Sequence, residues 1–473
     1  MIANKITDMR TSIQSASLLA ALALATGLCP GAAPAAPAVP SGPVASVAKP
    51  RDQCLLDFLN LRFGMFIHFN MATFHAEQWA NPFHDPKSFD PAALDCRQWA
   101  RAAKSAKMNY AVFTAKHHDG FCLWDSKVTD YDIASSSRPQ DVVREYVDAF
   151  RQEGIKVGLY FSVWDRHHKI EHGNITPANI QFMKDQLTEL LTNYGAVECV
   201  VIDGWGSKWG DGPDFTELPF AVLADHIHRL QPDCLVINHS CKTDLAVTQL
   251  VHYEATHGQH CPYDNTIPSQ QGPTLQPAWF WNPGFEAAPL KSVDTVVKEL
   301  RFANGHLCNY LLNAAPNNRG LMDDTVVARL AEIGRAVQLP APLSALPKIA
   351  KPHANVMVTA SSSTPGHGPA TAVDCDLFTR WQPQTGEREP WLELDFGKPE
   401  TFNTVVCGEF DQFVDSFKIE AQVDGKWIEL TRGGKMTFNY QASFPDVTAR
   451  KYRLVLLEYR PAPLIAEVTF VRY

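Results

Sequence analysis

Residues able to do chemistry recur at one kind of place in this chain, directly after short apolar runs. The stretch FTAKHHDGFCLW (113–124) carries Lys116, His117, His118 and Asp119 behind such a run. Further runs end in His68, in Trp164-Asp165-Arg166-His167, in Asp203, in Asn238-His239, in Glu254, in Trp279 and Trp281, and in Asn313. A metal centre would need three or four ligands in fixed geometry. Adjacent residues such as His117 and His118 point to opposite faces of an extended strand, and no H-E-x-x-H spacing is present, so neither a metal nor a cofactor is expected. A sugar site suits the set better. Pyranoses are held on aromatic faces and by donors and acceptors on their hydroxyls, and cleavage of a glycosidic bond takes two carboxyl groups. In such a site the histidines act as neutral hydrogen-bonding groups.

The runs must be positioned by a scaffold, and their rhythm indicates which. GMFIHF (64–69), YAVFTAK (110–116), KVGLYFSV (156–163), ECVVIDG (198–204), CLVINHS (234–240), LVHYEAT (250–256), LQPAWFW (275–281) and CNYLLNAA (308–315) make eight strand candidates. Helical patterns over 91–106, 139–154, 177–195, 220–230, 293–303 and 323–337 separate most of them, with none between the fifth, sixth and seventh strands. Continuously apolar strands alternating with amphipathic helices predict a (β/α)8-like barrel, whose chemistry gathers at the C-terminal strand ends. A Pro-rich linker (339–354) follows, and then short alternating runs from WLELDFG (391–397) to IAEVTFVRY (465–473), as in an all-β sandwich. The expected domains are a catalytic barrel over 58–338 and a sandwich over 355–473.

Lys5 and Arg10 precede an apolar run ending near Leu28 and then a small-residue, Pro-rich segment, the pattern of a secretory signal peptide over 1–35, with a leader segment over 36–57. The chain is therefore expected to be exported, to the periplasm or the outside of the cell. Lys plus Arg total 42 against 51 Asp plus Glu, without a block of either sign, which excludes nucleic acid and an anionic membrane as partners. No run is long enough for a membrane span, and no protein partner is indicated. The 11 cysteines show no C-x-x-C pair or knot-like spacing, and several lie inside apolar runs as small core residues do.

Taken in order, GMFIHF, FTAKHHDGFCLWDSKVTDYDI, GLYFSVWDRHH, LLTNYGAVECVVIDG and NYLLNAAPNNRGLMDD closely resemble glycoside hydrolase family 29, the α-L-fucosidases, over about 58–337. The resemblance implies a retaining exo-glycosidase that releases terminal α-L-fucose from an oligosaccharide or polysaccharide through a covalent fucosyl-enzyme. Its nucleophile would be Asp203, where Val201-Ile202 replace the aromatic pair that usually precedes it. His68, His117 and His118 would hold fucose, with Gln78 and Trp79 at the family's Glu-Trp pair and Glu77 adjacent. Tyr160, Trp164 and Trp281 would line the site further. No motif marks the acid/base. Glu254 at a strand end is the expected residue, with Glu286 next and Glu217 and Asp214 behind. A sugar-binding barrel without turnover and an α-L-galactosidase are the alternatives. The segment 360–406 resembles the discoidin, or coagulation-factor C-type, sandwich, which implies either glycan binding or bracing of the barrel.

Overall fold

The computed structural model describes residues 48–206, 210–239, 248–262, 265, 267–346, 356–374, 379–409, 413–436, 440–461 and 463–472. The expected signal peptide, and much of the Pro-rich linker, lie outside the described residues.

Eight strands form one parallel sheet: β1 (Phe63–Ile67), β2 (Tyr110–Lys116), β3 (Lys156–Ser162), β4 (Cys199–Asp203), β5 (Leu235–Asn238), β6 (Val251–Tyr253), β7 (Ser269–Gln271) and β8 (Cys308–Asn313). Their order is β5-β4-β3-β2-β1-β8-β7-β6, so β8 closes onto β1 and the ladder is open only between β5 and β6. Thr248 and Gln249 bridge that seam. The Thr248 hydroxyl accepts from Asn238 N at 3.1 Å, and Gln249 bonds Val236 through both its backbone N–H and its side-chain oxygen. Helices Cys96–Ser105, Val142–Gln152, Pro177–Asn193, Phe220–Leu230, Val293–Gly305 and Asp324–Ala336 lie on the outside. Four of them start where the sequence supplies an acceptor for orphan backbone N–H groups: Asp95, Asp141, Thr176 and Ser292 each cap the N–H three residues on.

The alternation along each strand builds two apolar layers. Met65, Ile67, Ala111, Phe113, Leu159 and Phe161 pack outward against the helices. Phe66, Tyr110, Val112, Tyr160, Val201 and Ile237 fill the interior together with Cys54, Leu55 and Phe58. Those last three come from a helix, Arg51–Leu59, which spans the expected boundary between the leader (36–57) and the barrel domain (58–338). It closes the N-terminal end of the barrel, with Phe58 edge-on to Tyr110 at 5.2 Å.

One strand differs from expectation. LQPAWFW (275–281) is loop, and the seventh strand is Ser269–Gln271, three polar residues that are all buried. Their polarity hid them from a hydrophobicity pattern. Gln270 and Gln271 are tolerated inside because Gln270 bonds Tyr110 OH and His252, while Gln271 accepts from Cys261 N.

The C-terminal part is an antiparallel sheet with its own apolar core: β9 (Met357–Ala360), β10 (Trp391–Glu409), β11 (Val414–Val423), β12 (Lys426–Gly433), β13 (Tyr440–Tyr459) and β14 (Ile465–Val471). WLELDFG (391–397) and FNTVVCGE (402–409) belong to one long strand, in which the register against β13 shifts between Asp395 and Glu400. Gly397, at φ 74°, takes the left-handed bend there. All eight described cysteines are buried.

Candidate active site

The strand ends converge on one mouth, as the barrel requires. Asp203, the last residue of β4, is 8% exposed and held at both oxygens: Tyr160 OH donates to Oδ2 at 2.7 Å and Gly204 N donates to Oδ1 at 2.6 Å. Burial and the facing Asp203 push the Tyr160 phenol well above its ordinary range, so it stays a donor. Gly204 turns the chain at φ 100°, and a Cβ there would stand 2.6 Å from Trp164 N, so the glycine after the aspartate is a steric requirement.

His68, His117 and His118 stand near this carboxylate, and hydrogen bonds assign the tautomers of His68 and His118. The Asn313 amide nitrogen donates to Trp279 O at 2.9 Å, which turns its oxygen to His68 Nδ1 at 2.7 Å. His68 Nδ1 therefore carries the proton and Nε2 is an acceptor. Ser162 donates its hydroxyl proton to Trp164 O at 2.8 Å and so accepts from His118 Nδ1 at 2.7 Å. His118 Nε2 is then an acceptor too, 3.7 Å from Asp203 Oδ2. The His117 ring stacks on Tyr160 at 5.6 Å, with a buried Nδ1 that has no hydrogen-bond partner among the described residues. Burial first, and neighbouring imidazoles second, hold His68 and His117 well below their ordinary value and His118 at about 3. All three are neutral hydrogen-bonding groups at working pH.

The geometry corrects one step of the sequence reading. His117 and His118 do not point to opposite faces: β2 ends at Lys116, the chain turns there with Gly120 N on His117 O, and the two rings lie side by side at 4.2 Å. Among the described residues, the group of histidine and carboxylate side chains close enough to share an ion is His172, Asp214 and Glu217.

A second carboxylate reaches the same place. Glu254, directly after β6, bonds His257 Nδ1 through Oε1 at 2.8 Å, and its Oε2 lies 4.0 Å from His239 Nδ1. The same His239 nitrogen is 3.5 Å from Asp203 Oδ2. The two carboxylates therefore meet across one imidazole, their oxygens no further apart than those two distances end to end. The sequence marks His239 as a strand-end residue by its place directly after β5, but gives it no role; the role follows from its position between the two carboxylates. The other carboxylates considered are engaged elsewhere. Glu286 is exposed and accepts from Gly284 N in its own turn, while Glu217 holds His172 and Gly173 N.

The remaining expected residues separate. Trp164 is buried and leans on His118 at 5.1 Å. Trp79, 48% exposed, stands edge-on to both His118 and Trp164 at the rim. Gln78 spends its amide on the loop after β7, accepting from Phe280 N and donating to Phe280 O, both at 3.0 Å. Glu77 bonds Asn81 N and His84. Trp281 turns away to donate to Asp323 at 2.9 Å, and its two predecessors face the histidines instead: Trp279 lies 4.8 Å from His68, and Phe280 lies 4.9 Å from His117. With 275–281 a loop, inside and outside could not be read from strand alternation.

A family model described as Alpha-L-fucosidase matches residues 47–339, more than half of the chain. The chain belongs to the α-L-fucosidase family. That family is one of glycoside hydrolases, and the fucosidase barrel is followed here by an F5/8 type C domain matched over 357–468. The putative α-L-fucosidase 1 of Oryza sativa subsp. japonica is 31% identical over 93% of this chain and 87% of its own. The α-L-fucosidase 1 of Arabidopsis thaliana is 28% identical over 85% of this chain and 83% of its own. Among solved structures, a putative α-L-fucosidase from Bacteroides thetaiotaomicron shares the fold at TM-score 0.54, with 24% identity, covering 91% of this fucosidase-family chain and 98% of that one. A Ruminococcus gnavus GH29 fucosidase in complex with fucose shares it at TM-score 0.51, with 22% identity, over 91% and 97%.

Proposed function

We propose that this chain is a retaining exo-acting α-L-fucosidase that releases terminal α-L-fucose from glycans. The observation that carries the proposal is the meeting of Asp203 and Glu254 across His239 at the barrel mouth, with Asp203 clamped at both oxygens. That spacing accommodates the ~5–5.5 Å between carboxyl groups that a double displacement uses. In the first step an Asp203 oxygen bonds to the anomeric carbon as the glycosidic C–O bond breaks, and the Glu254 carboxyl gives its proton to the leaving oxygen. In the second, the Glu254 carboxylate takes a proton from water, the water oxygen bonds to the anomeric carbon, and Asp203 is released. His68 and His118 offer acceptor Nε2 atoms to sugar hydroxyls. The buried His117 Nδ1, without a partner among the described residues, is a third polar group that a sugar hydroxyl would satisfy, a buried orphan of this kind costing ~1–3 kcal/mol.

The test is Asp203→Gly. Turnover of an aryl α-L-fucoside should fall by at least about a thousandfold with the circular dichroism spectrum retained, and azide should restore part of it as fucosyl azide. Near-normal activity in this variant would overturn the assignment.

A further inference from the structure

The ring of His239 is packed so that it can rock but not turn over. Its backbone N–H donates to Ile202 O at 2.9 Å, which extends the β4–β5 ladder by one residue and ties the chain down beside Asp203. The ring is buried and stacks on His252 at 4.1 Å and 29°. His252 is itself fixed: Gln270 Nε2 donates to its Nδ1 at 2.9 Å, and Gln270 Oε1 accepts from Tyr110 OH at 3.2 Å. Burial holds His252 well below its ordinary value, so the surface under His239 carries no charge. Phe66 and Tyr160 stand edge-on to His239, both at 6.0 Å.

The two nitrogens of the ring are placed differently. Nε2 is buried and has no hydrogen-bond partner among the described residues. Nδ1 faces the carboxylates, 3.5 Å from Asp203 Oδ2 and 4.0 Å from Glu254 Oε2. A lone pair aimed at two carboxylates would be repelled by both, so Nδ1 carries a proton. Neither distance is that of a closed hydrogen bond, and a movement of roughly 0.5–1 Å would close this donor on either oxygen.

The two acceptors take turns in carrying charge. Before fucose transfer Asp203 is the ionised partner and Glu254 holds the proton that the leaving oxygen will take. Once the fucosyl bond to Asp203 has formed, Asp203 is an ester and Glu254 is the carboxylate. One negative charge thus passes across His239 in the first half-reaction and returns in the second. Asp203 has fixed donors of its own in Tyr160 and Gly204, and Glu254 has His257. His239 is the donor within reach of both.

We propose that His239 is a positioning residue whose Nδ1–H follows this charge, closing on Asp203 before fucose transfer and on Glu254 while the fucosyl-enzyme exists. It transfers no proton itself. A donor poised between the carboxylates serves the transition state best, where both bear part of the charge. This rests on the fucosidase reading above and deepens it.

The test turns on where the donor sits. An Asn amide nitrogen comes close to the place of a histidine Nδ1, a Gln amide nitrogen to that of Nε2, and Phe keeps a ring on His252 with no donor. Fucosyllactose needs the proton of Glu254 for its leaving oxygen, whereas an aryl fucoside with an acidic phenol does not. In His239→Phe the ratio of kcat/KM for fucosyllactose to kcat/KM for the aryl fucoside should fall about ten- to a hundredfold, the weight of one hydrogen bond to a charged group. His239→Asn should restore most of that ratio and His239→Gln should not. A ratio is independent of how much of each variant is folded. An unchanged ratio in His239→Phe overturns the proposal, as does a ratio that stays equally low in His239→Asn. Turnover of the aryl fucoside by the unsubstituted enzyme, with retained configuration, reports separately on the fucosidase reading. Its absence would overturn both, whereas turnover beside an unmoved ratio would overturn the role of His239 alone.

Discussion

Glu254 and Asp203 divide the proposed reaction unequally, and the inequality can be measured. Asp203 is held from two sides by donors, Tyr160 and Gly204, and is not required to exchange a proton. Glu254 must give up a proton in one half-reaction and take one in the other, so its loss matters most where the leaving oxygen is a poor one. In Glu254→Ala, kcat/KM for a fucoside with an acidic phenol should survive at least about a hundredfold better than that for a fucosylated oligosaccharide, and azide should trap the intermediate. A steady-state comparison of the two substrates checks this. Equal losses would point to another acid, and Glu286, exposed and capping its own turn, is placed poorly for it. His257 belongs to the same residue-level account, since its contact with Glu254 Oε1 leaves Oε2 on the side of His239.

Behind the histidines, the ends of β2 and β3 are joined by an ion pair with no exposure on either side. Lys116 Nζ lies 3.1 Å from Asp165 Oδ2 and 2.8 Å from Gln186 Oε1, and packs over the Phe161 ring at 4.2 Å. Burial alone would raise Asp165, but Lys116 and His168 together hold it well below the usual carboxylate range. Asp165 also accepts from His168 N, and its Oδ1 would be 2.3 Å from any Cβ on Gly120, which turns at φ 94°. The glycine of KHHDGF thus lets the loop carrying His117 and His118 lie directly on the loop carrying Trp164. Asp165→Asn should destabilise the protein by ~3–5 kcal/mol, because it leaves an ammonium buried without its counter-charge. Urea unfolding of the single variant, beside a Lys116→Met/Asp165→Leu double variant, checks the attribution: the pair removed together should cost less than Asp165 removed alone.

Across the whole molecule, buried histidine gives the fold a preference for neutral over mildly acidic pH. Burial lowers His68, His75, His117, His118, His226, His228, His252 and His260 from the ordinary 6.5. Below that value the unfolded chain takes up protons that the folded chain refuses, to about pH 3 in the case of His118, so stability falls as pH falls. Seven groups act the other way, four of them carboxylates that burial raises from ordinary values of 3.8 or 4.5, namely Asp132, Asp141, Glu145 and Glu198. Contact with Glu217 and with Glu254 raises His172 and His257, and burial raises Asp119 to about 7, so each binds its proton more readily in the folded chain. Between pH 7 and about pH 5.5 the unfolded histidines titrate, whereas the ordinary values of those four carboxylates lie below that window, so the eight lowered histidines dominate and leave a net loss. The urea midpoint should drop between pH 7 and about pH 5.5, and replacing exposed His172 with Gln should leave that drop in place. At this scale the chain also carries a second apolar core in its C-terminal sheet, and among the described residues no helix is long and apolar enough to cross a membrane.

Seven of the eight barrel strands, all six outer helices and the position of Asp203 at a strand end were legible without coordinates. Each is written in local pattern: continuous apolar runs for strands covered on both faces, amphipathic spacing for helices, and Gly204 where the chain leaves β4 in a left-handed turn. The antiparallel C-terminal sheet was legible by the same alternation, although the joining of two of its runs into β10 depended on Gly397. What local pattern could not carry was anything decided by a partner distant in sequence. Ser269–Gln271 is a strand because Tyr110, His252 and Cys261 satisfy its glutamines. Trp279 and Phe280, rather than Trp281, face the histidines because 275–281 is an irregular loop without a period. Gln78 is engaged because Phe280, about two hundred residues later, supplies both a donor and an acceptor. His239 stands between the two carboxylates because β5 lies beside β4 and β6 faces it across the open seam of the barrel. Chemical type and strand-end position belong to the chain itself; which side chains share a pocket, and which nitrogen of each histidine carries the proton, follow only from closing the sheet around them.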